Sequence, residues 1–354
     1  MSCNNSPVKS PIELSMDRHA DSLLLDPTIN AISIGVYKAG KTYINHYGEL
    51  DKGQDNKPTD ETIYEIGSVS KTFAGTLVAQ AELEGKLNLE DDIRKYLKED
   101  FPNLEYQGNP IRIKHLITHT SRLPRFLPET IAQIVENPTD SLAFHIYEIE
   151  KNYSQEKFLS DLQAVVLDTI PGTKDSYSSA DTELVAHILE NVYNKPYHEL
   201  IQEKIATKLG MKNTGTVIRE SAQHNLANGY LENNTLAPPM INTLWGAGGG
   251  MTSTLPDLMK YAQFQLDQEN EVAVKSHEVV FQNGNFQVGY YWPIRFDDSY
   301  GTYYSHHGGA FGVQNYLFIF PEKDLAISVV LNQNISNTSN KLATVAAGIM
   351  DDLK

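Results

Sequence analysis

Strand-forming segments lie near both ends of this chain, and helix-forming segments fill most of the region between them. Alternating apolar residues predict a hairpin of two strands at 31–37 and 42–47. Strand signals return at 286–292, 314–320 and 325–331. Strands from such distant parts of a chain share one sheet only if both termini contribute to it. We therefore predict an α/β (α+β) fold, in which an antiparallel sheet is flanked by helices and carries an all-helical insertion.

The length of 354 residues exceeds the roughly 250–300 at which a single hydrophobic core stops growing, and this favours two subdomains. We predict a disordered tail at 1–10, an α/β domain from 11–80 and 246–354, and a helical subdomain at 81–245. The active site is expected at the junction of the two subdomains, where pockets are common. Helices are expected at 11–25, 89–93, 113–117, 183–193, 197–209 and 339–353.

The composition excludes several classes of partner. The formal net charge of −16 argues against nucleic acid or an anionic membrane as the main partner. No apolar run approaches the ~18 residues needed to span a bilayer. The single cysteine excludes a disulfide framework and a thiolate metal site within one chain. We expect a small-molecule or peptide substrate, no metal and no cofactor, and the sequence leaves the oligomeric state open.

The single cysteine, Cys3, is followed by the short polar segment Asn4-Asn5-Ser6-Pro7. A cysteine with such a tether is typical of the start of a mature bacterial lipoprotein, which predicts a lipid anchor at Cys3. The alternative is a disordered tail with an incidental cysteine. The lipoprotein interpretation predicts the bacterial periplasm or cell envelope as the location, and a cytoplasmic location is the alternative.

The pattern S-x-x-K occurs three times, beginning at Ser6, Ser68 and Ser154. A serine and a lysine three residues apart lie on one helix face, so the ammonium can reach the hydroxyl. Ser6 lies in a polar terminus, and Ser154 is expected to cap a helix. Ser68 follows a strand-like run and Gly67, and an apolar helical pattern continues after Lys71. This context predicts Ser68 as a nucleophile and Lys71 as its proton partner.

Two further motifs offer catalytic groups. Tyr177 follows a Pro-Gly turn, and a tyrosine near a lysine can become acidic enough to accept a proton, although simple packing is the alternative. The segment His306-His307-Gly308-Gly309 lies at the edge of a predicted strand. Its glycines permit close backbone approach and leave N–H groups for an oxyanion. A glycine-rich turn and a histidine-pair metal site are the alternatives, but adjacent strand residues point to opposite faces.

The motifs S-x-x-K, Y-x-S and H-x-G, in this order, resemble the class C β-lactamase family of serine hydrolases. That family includes penicillin-binding-protein-like DD-peptidases, D-aminopeptidases and esterases. The resemblance runs from about residue 32 to 331 and includes secondary landmarks at 84–91, 117–121, 208–211 and 246–250. It implies a β-lactamase/transpeptidase-like fold and cleavage of an amide or ester through an acyl-enzyme on Ser68.

The family pattern, matched position by position, implies a role for each motif residue. Ser68 would be the acylated nucleophile, and Lys71 would be its proton partner and electrostatic support. Tyr177 would be the general base for acylation and, through water, for deacylation. Ser179 would contact the substrate amide or relay a proton. The oxyanion hole would use the backbone N–H groups of Ser68 and Gly309.

Three departures from the family pattern concern substrate binding. His306, His307 and Gly308 fall where many relatives carry Lys-Thr-Gly, so His306 replaces a permanent cation with a group only partly charged near pH 7. Ser179 stands where the lactamases usually have asparagine. Arg122 stands where relatives commonly have glycine. Arg125 follows close behind, and these two arginines near the pocket rim could replace the missing cation, although solvated surface arginines are the favoured interpretation.

These departures predict a poor β-lactamase that prefers esters or D-amino-acid amides, such as D-Ala-D-Ala peptides. Carboxylate-bearing substrates should then bind less well as the pH rises through the pKa of His306. Two other functions stay open for this fold. One is a carboxylesterase that uses the same three catalytic residues, and the other is a catalytically silent binding or assembly protein.

Other catalytic motifs fit the chain less well. An α/β-hydrolase would need G-x-S-x-G, which is absent, and the glycines at 246–250 are not followed by the Gly-Lys-Ser/Thr of a P-loop. His115 and His119 have the i, i+4 spacing of zinc ligands, but the glutamate of H-E-x-x-H is absent. A structural role for these two histidines is therefore favoured.

Overall fold

The structure, a computed structural model, describes residues 9–139, 141–240 and 244–354. Its helices surround a large sheet. In chain order, most of the helices come after the first strand of that sheet and before its last strand. The helices are α1 (Pro11–Leu24), α2 (Ser70–Leu83), α3 (Ile113–Ile117), α4 (Glu129–Glu136), α5 (Leu142–Glu150), α6 (Gln155–Leu162), α7 (Ser179–Tyr193), α8 (Tyr197–Ile201), α9 (Thr207–Leu209), α10 (Leu255–Leu266), α11 (Glu271–Ser276) and α12 (Thr338–Asp352).

The strands come mainly from the two ends of the chain. They are β1 (Ala31–Lys38), β2 (Lys41–Gly48), β3 (Ile63–Glu65), β4 (Glu105–Tyr106), β5 (Asn109–Pro110), β6 (Tyr230–Leu231), β7 (Thr252–Thr254), β8 (Phe281–Asn283), β9 (Phe286–Gly289), β10 (Trp292–Asp297), β11 (Gly301–Gly309), β12 (Gln314–Phe320), β13 (Leu325–Leu331) and β14 (Gln333–Asn334).

The main sheet has eight strands in the order β2-β1-β13-β12-β11-β10-β9-β8, and every neighbouring pair is antiparallel. The hairpin from the N-terminal region joins the C-terminal strands through β1 and β13, where Ile32 lies opposite Leu331. A sheet shared by both ends of the chain and flanked by helices confirms the predicted fold class.

Alternate residues of β13 point to two separate cores, as the two-residue period of a strand requires. Ile327, Val329 and Leu331 join a core formed with α1 and α12. Ala326 and Val330 join a larger core that includes residues of α2, α7 and α10. Both faces of the sheet are therefore covered by helices, which explains why β13 is apolar at every position except one serine.

Two predicted elements are wrong. The segment 286–292 is not one strand, because the chain turns at Tyr290 and Tyr291, whose φ angles are +48° and +69°, between β9 and β10. The segment 89–93 is not a helix, because Asp92 accepts a hydrogen bond from the N–H of Arg94 and starts a short 3₁₀ turn only at Ile93. Ser154, in contrast, caps α6 as predicted.

One predicted domain boundary falls within a helix, and the region predicted to be all helical contains short strands. The boundary between residues 80 and 81 falls inside α2, and short strands β4, β5 and β6 interrupt the region predicted to be helical. Ser10, assigned to the tail, caps α1 by accepting a hydrogen bond from Glu13 N–H, while Cys3 lies outside the described residues. Within the described ranges, no helix is long and apolar enough to cross a membrane.

Candidate active site

Ser68 lies in a 3₁₀ turn, Gly67–Val69, that connects the end of β3 to α2. Gly67 has a φ of +50°, and a Cβ there would lie 2.6 Å from the backbone of Gly309 on β11. The Ser70 hydroxyl holds the turn, because it donates to Gly67 O at 2.7 Å. Only glycine at position 67 therefore lets the serine turn approach β11 this closely.

The Ser68 hydroxyl oxygen receives two hydrogen bonds. The Tyr177 hydroxyl donates to Ser68 Oγ at 2.7 Å, and the Lys71 ammonium donates to it at 3.2 Å. Lys71 also donates to the Ser179 hydroxyl at 3.3 Å. The structure thus brings together four residues from two motifs more than 100 positions apart, as the sequence predicts. Their catalytic roles remain the roles that the family pattern implies.

Lys71 is completely buried, and its ammonium has three acceptors for three donors. Besides Ser68 and Ser179, it donates to the backbone oxygen of Gly248. An unpaired ammonium would be costly at such a buried position, so this set of acceptors is what makes the burial tolerable. The contact also ties α2 to the glycine-rich segment 246–250, which the sequence analysis identified only as a landmark.

Glu183 is a site residue that the sequence analysis missed. It lies one helical turn after Ser179 on α7 and is buried, with 8% of its surface exposed. Its carboxylate accepts hydrogen bonds from the N–H of Gly248 at 2.7 Å and of Trp245 at 3.0 Å. Burial raises the pKa of Glu183, and these backbone bonds together with Lys71 oppose the rise. The available signal was an acidic residue, with Asp181 close by, among the apolar residues of a predicted helix.

Tyr177 stands at the mouth of the cleft with 40% of its surface exposed. The His119 ring packs against the Tyr177 ring at a centroid distance of 4.5 Å and against Tyr291 at 5.1 Å. Burial, with a smaller effect of Lys71, lowers the pKa of His119 well below its ordinary value. His119 is therefore a neutral ring that packs beside the tyrosine.

His115 and His119 have different surroundings. His115 Nδ1 accepts a hydrogen bond from the N–H of Arg112 at 3.1 Å, which caps the start of α3. Among the described residues, no group of three or more His, Cys, Asp or Glu side chains could hold a metal ion. This arrangement fits the structural role favoured from the sequence.

Gly308 and Gly309 let β11 pass beside the serine turn. A Cβ on Gly308 would lie 2.0 Å from the backbone oxygen of Ile66, so no other residue fits there without a shift. The Asn315 amide donates to the same Ile66 oxygen at 2.9 Å. Gly308 therefore packs against the protein chain and does not line the cleft, whereas Gly309 does. The sequence analysis predicted that Gly308 contacts the substrate, and its position in the structure contradicts that prediction.

His306 is neutral at physiological pH, which corrects the expectation that it is partly charged. Burial, and to a lesser degree Lys71, lower the pKa of His306 to about 3. Its Nδ1 lies 2.9 Å from the backbone oxygen of His307, so Nδ1 carries the proton and Nε2 is left as an acceptor. The His307 ring packs edge-on against Tyr316, and burial lowers its pKa as well.

Of the two arginines that the sequence places near the pocket rim, Arg125 lines the cleft and Arg122 does not. Arg122 lies outside the cleft lining, because its guanidinium forms two hydrogen bonds to the Asp168 carboxylate at 2.8 and 2.7 Å. Arg125 and Arg295, both exposed, line the cleft instead. Position 295 gave no sequence signal, because only the pairing of β10 with β11 brings it beside the site.

Ser68 lies where two lobes of one cleft meet. The large lobe has a volume of about 800 Å³ and borders Ser179, and the small lobe has about 420 Å³ and borders His306. Ser68 and Tyr177 line both lobes. A substrate whose reacting bond lies at Ser68 can thus extend in two directions, with one end in each lobe. The residues shared by both lobes are Ser68, Arg125, Tyr177 and Gly309.

Comparison with known proteins shows one family. The Beta-lactamase family model matches residues 16–349. The D-alanyl-D-alanine-carboxypeptidase/endopeptidase AmpH of Escherichia coli K12 is 26% identical over 359 residues, which cover 94% of this chain and 89% of the relative. A β-lactamase of Providencia stuartii is 25% identical over 348 residues, which cover 88% of this chain and 84% of the relative.

Solved structures show the same fold. A class C β-lactamase superposes with a TM-score of 0.82 at 23% identity and covers 99% of both chains. A β-lactamase/D-alanine carboxypeptidase from Pseudomonas syringae superposes with a TM-score of 0.81 at 19% identity, covering 98% of this chain and all of the other.

The fold and the family match together define a serine hydrolase of the β-lactamase/penicillin-binding-protein type. The chain belongs to the Beta-lactamase family, whose model spans nearly all of it. The resemblance drawn from the three motifs is thereby confirmed. The protein is an enzyme, and the alternative of a catalytically silent paralogue is not supported.

Proposed function

We propose that this enzyme removes the C-terminal residue of D-alanyl-D-alanine peptides through an acyl-enzyme on Ser68. One observation carries the chemistry: Ser68 Oγ is hydrogen-bonded by Tyr177 at 2.7 Å and by Lys71 at 3.2 Å. A serine hydroxyl needs an adjacent base to become a nucleophile, and a nearby cation stabilises the negative charge that this activation creates.

Before acylation, Tyr177 must lose the hydroxyl proton that it donates to Ser68 Oγ in this structure, and the resulting phenolate then takes the proton of the Ser68 hydroxyl. Ser68 Oγ then bonds to the substrate carbonyl carbon, and the backbone N–H groups of Ser68 and Gly309 stabilise the oxyanion. The C–N bond breaks as Tyr177 passes the proton to the nitrogen of the departing D-alanine. The Lys71 ammonium, hydrogen-bonded to Ser68 Oγ, stabilises the negative charge that develops on that oxygen.

Deacylation repeats these steps with water. Tyr177, again as the phenolate, takes a proton from a water molecule, whose oxygen attacks the acyl carbon. The bond between that carbon and Ser68 Oγ then breaks, and Tyr177 returns its proton to Ser68. The exposure of Tyr177 at the cleft mouth gives water access to it.

The substrate class is supported by the relatives and by the charges of the small lobe. Relatives at 26% identity and structures with the same fold carry the name of D-alanine carboxypeptidases. Arg125 and Arg295 line the small lobe, where they can bind the carboxylate of a departing D-amino acid. They supply the positive charge that His306 lacks.

The test compares two peptides, diacetyl-lysyl-D-alanyl-D-alanine and the same peptide with a C-terminal carboxamide. We expect kcat/KM to be at least about tenfold higher for the carboxylate, because a hydrogen bond to a charged group contributes about 1.5–3 kcal/mol. Arg295→Ala should bring this ratio towards one. Arg18→Ala is the control, because Arg18 pairs with Asp352 on the far side of the sheet.

Equal rates on the two peptides in the wild type would contradict carboxylate recognition. Turnover of p-nitrophenyl acetate without any peptide cleavage would favour the carboxylesterase alternative. The proposal that this enzyme is a poor β-lactamase is tested in the same assay, where nitrocefin should be hydrolysed more slowly than the peptide.

We also propose a location in the bacterial cell envelope, with a lipid anchor on Cys3. The support is the Cys3-Asn4-Asn5-Ser6-Pro7 pattern. Labelled palmitate should be incorporated into the protein expressed in bacteria and lost in Cys3→Ser. Incorporation that persists in the variant, or is absent from the wild type, would contradict the anchor.

A further inference from the structure

We infer that the large lobe selects an apolar acyl group, such as an aliphatic chain or an aromatic ring. This inference rests on the proposed function, because it assumes that Ser68 attacks the bond between the acyl group and the leaving group. It adds a recognition wall formed by α4 and α5.

The wall is formed by one face from each of two helices. Ile131 and Val135 are four residues apart on α4, and Leu142 and Ile146 are four residues apart on α5. Side chains at this spacing lie above one another, so each helix presents a continuous apolar row to the large lobe. Ala143 lies between the rows, where its small side chain leaves space.

The wall is anchored by its buried members. Ile131 is 2% exposed and Ile146 is 8% exposed, so both are fixed by packing. Val135 and Leu142 are only half-buried and leave apolar surface open to the lobe. Phe126, also half-buried, extends this surface towards Ser68. A preformed apolar surface of this kind gains free energy from each methylene that it takes out of water.

Charge decides which end of the substrate enters the large lobe. Arg125 is shared by both lobes, and the other charged side chains differ. Arg295 borders the small lobe, whereas the exposed Glu232 borders the large lobe. Glu150 also borders the large lobe, but burial raises its pKa to about 7, so it is only partly charged at neutral pH. A carboxylate on the leaving group is therefore favoured in the small lobe and disfavoured in the large one. The acyl group, which carries no charge in this assignment, extends along the α4–α5 wall.

The first experiment uses the wild-type protein and p-nitrophenyl esters from acetate to octanoate. Full burial of one methylene is worth a factor of about four, and a wall on one side should give about half that stabilisation. We expect kcat/KM to rise about twofold per methylene, or about 60-fold over the six methylenes from acetate to octanoate. Esters with a constant acetyl group and a lengthening alcohol should show no such rise.

The second experiment places a charge on the wall. Leu142→Asp should abolish most of the chain-length gain while p-nitrophenyl acetate is still hydrolysed. Phe144→Asp is the matched control, because Phe144 is 39% exposed on the same helix and does not line the lobe. Val135→Ser provides a second variant on α4 should Leu142→Asp fail to fold. Alkylboronic acids of increasing length, tested as inhibitors of the wild type, give an independent measure of the same gain.

The outcomes separate this inference from the proposed function. Equal kcat/KM from acetate to octanoate, with Ser68 still acylated, would overturn the apolar wall and leave the acyl-enzyme mechanism intact. A chain-length gain that survives both Leu142→Asp and Val135→Ser would also overturn it. Absence of hydrolysis and of any adduct on Ser68 would instead overturn the proposed function.

Discussion

Lys71 is the residue whose placement is hardest to explain by stability alone. A fully buried ammonium loses its hydration, and this structure compensates with three acceptors, Ser68 Oγ, Ser179 Oγ and Gly248 O. An apolar side chain of the same length would fill the space without that cost. We interpret the buried charge as a requirement of the chemistry at Ser68, because the ammonium donates a hydrogen bond to Ser68 Oγ.

Replacement of Tyr177 by phenylalanine removes the base and keeps the ring. We expect Tyr177→Phe to lower kcat about 10²–10⁴-fold, the usual contribution of a positioned general base. The melting temperature should change little, because the ring still packs against His119. Near-full activity in this variant, measured with a p-nitrophenyl ester, would show that the base lies elsewhere.

The pH dependence of carboxylate binding distinguishes His306 from the arginines. Burial and Lys71 lower the pKa of His306 to about 3, so protonated His306 is populated only below that pH. We therefore expect the carboxylate-to-carboxamide ratio of kcat/KM to stay constant from pH 5.5 to 8.5. A decrease with a midpoint near pH 6.5 would show that His306 carries the charge, as the sequence alone suggested.

At the level of elements, α7 organises the site through one face. Ser178 caps the helix by accepting a hydrogen bond from Asp181 N–H at 3.0 Å, which fixes where the helix begins. Ser179 and Glu183 then follow on one side, four residues apart. Ser179 contacts Lys71, and Glu183 holds the backbone at Gly248, whose oxygen also receives the lysine. One helix thus sets two of the three lysine acceptors.

Glu183 should act as a positioning residue. In Glu183→Gln one oxygen can no longer accept a backbone N–H, so the segment at Gly248 should move relative to Lys71. We expect kcat to fall roughly 10-fold or more while KM changes by less than about threefold, since Glu183 acts through Lys71. Glu199→Gln, an exposed glutamate on the neighbouring α8, is the control. A change confined to melting temperature would indicate a purely structural role.

For the whole molecule, the sequence correctly predicted the features that depend on local sequence pattern, namely individual strands and the catalytic motifs. The strands at 314–320 and 325–331 match β12 and β13 residue for residue, because strands buried on both faces are near-continuous apolar runs that stand out in the sequence. The motifs also placed Ser68, Lys71, Tyr177 and Ser179 in one site. What the sequence missed depends on tertiary contacts: Arg295 reaches the cleft only through the pairing of β10 with β11.

The charge state of His306 could not be predicted from the sequence alone, because it also depends on tertiary contacts. The low pKa of His306 arises from burial in the folded protein and from Lys71, which lies 235 positions earlier in the sequence. Gly308 and Gly309 were both identified from the sequence, but the role of Gly308 was not. Gly308 permits β11 to approach Ile66, a contact between two parts of the chain that no local pattern reveals.

The most direct test of the mechanism is the intact mass of the protein after reaction with a fluorophosphonate or a penicillin. We predict one adduct per chain, mapped by peptide digestion to Ser68, and no adduct in Ser68→Ala. That variant should lose at least about 10³-fold in kcat while its circular dichroism spectrum is unchanged. An adduct on Ser70 or Ser179, or no adduct with several probes, would contradict Ser68 as the nucleophile.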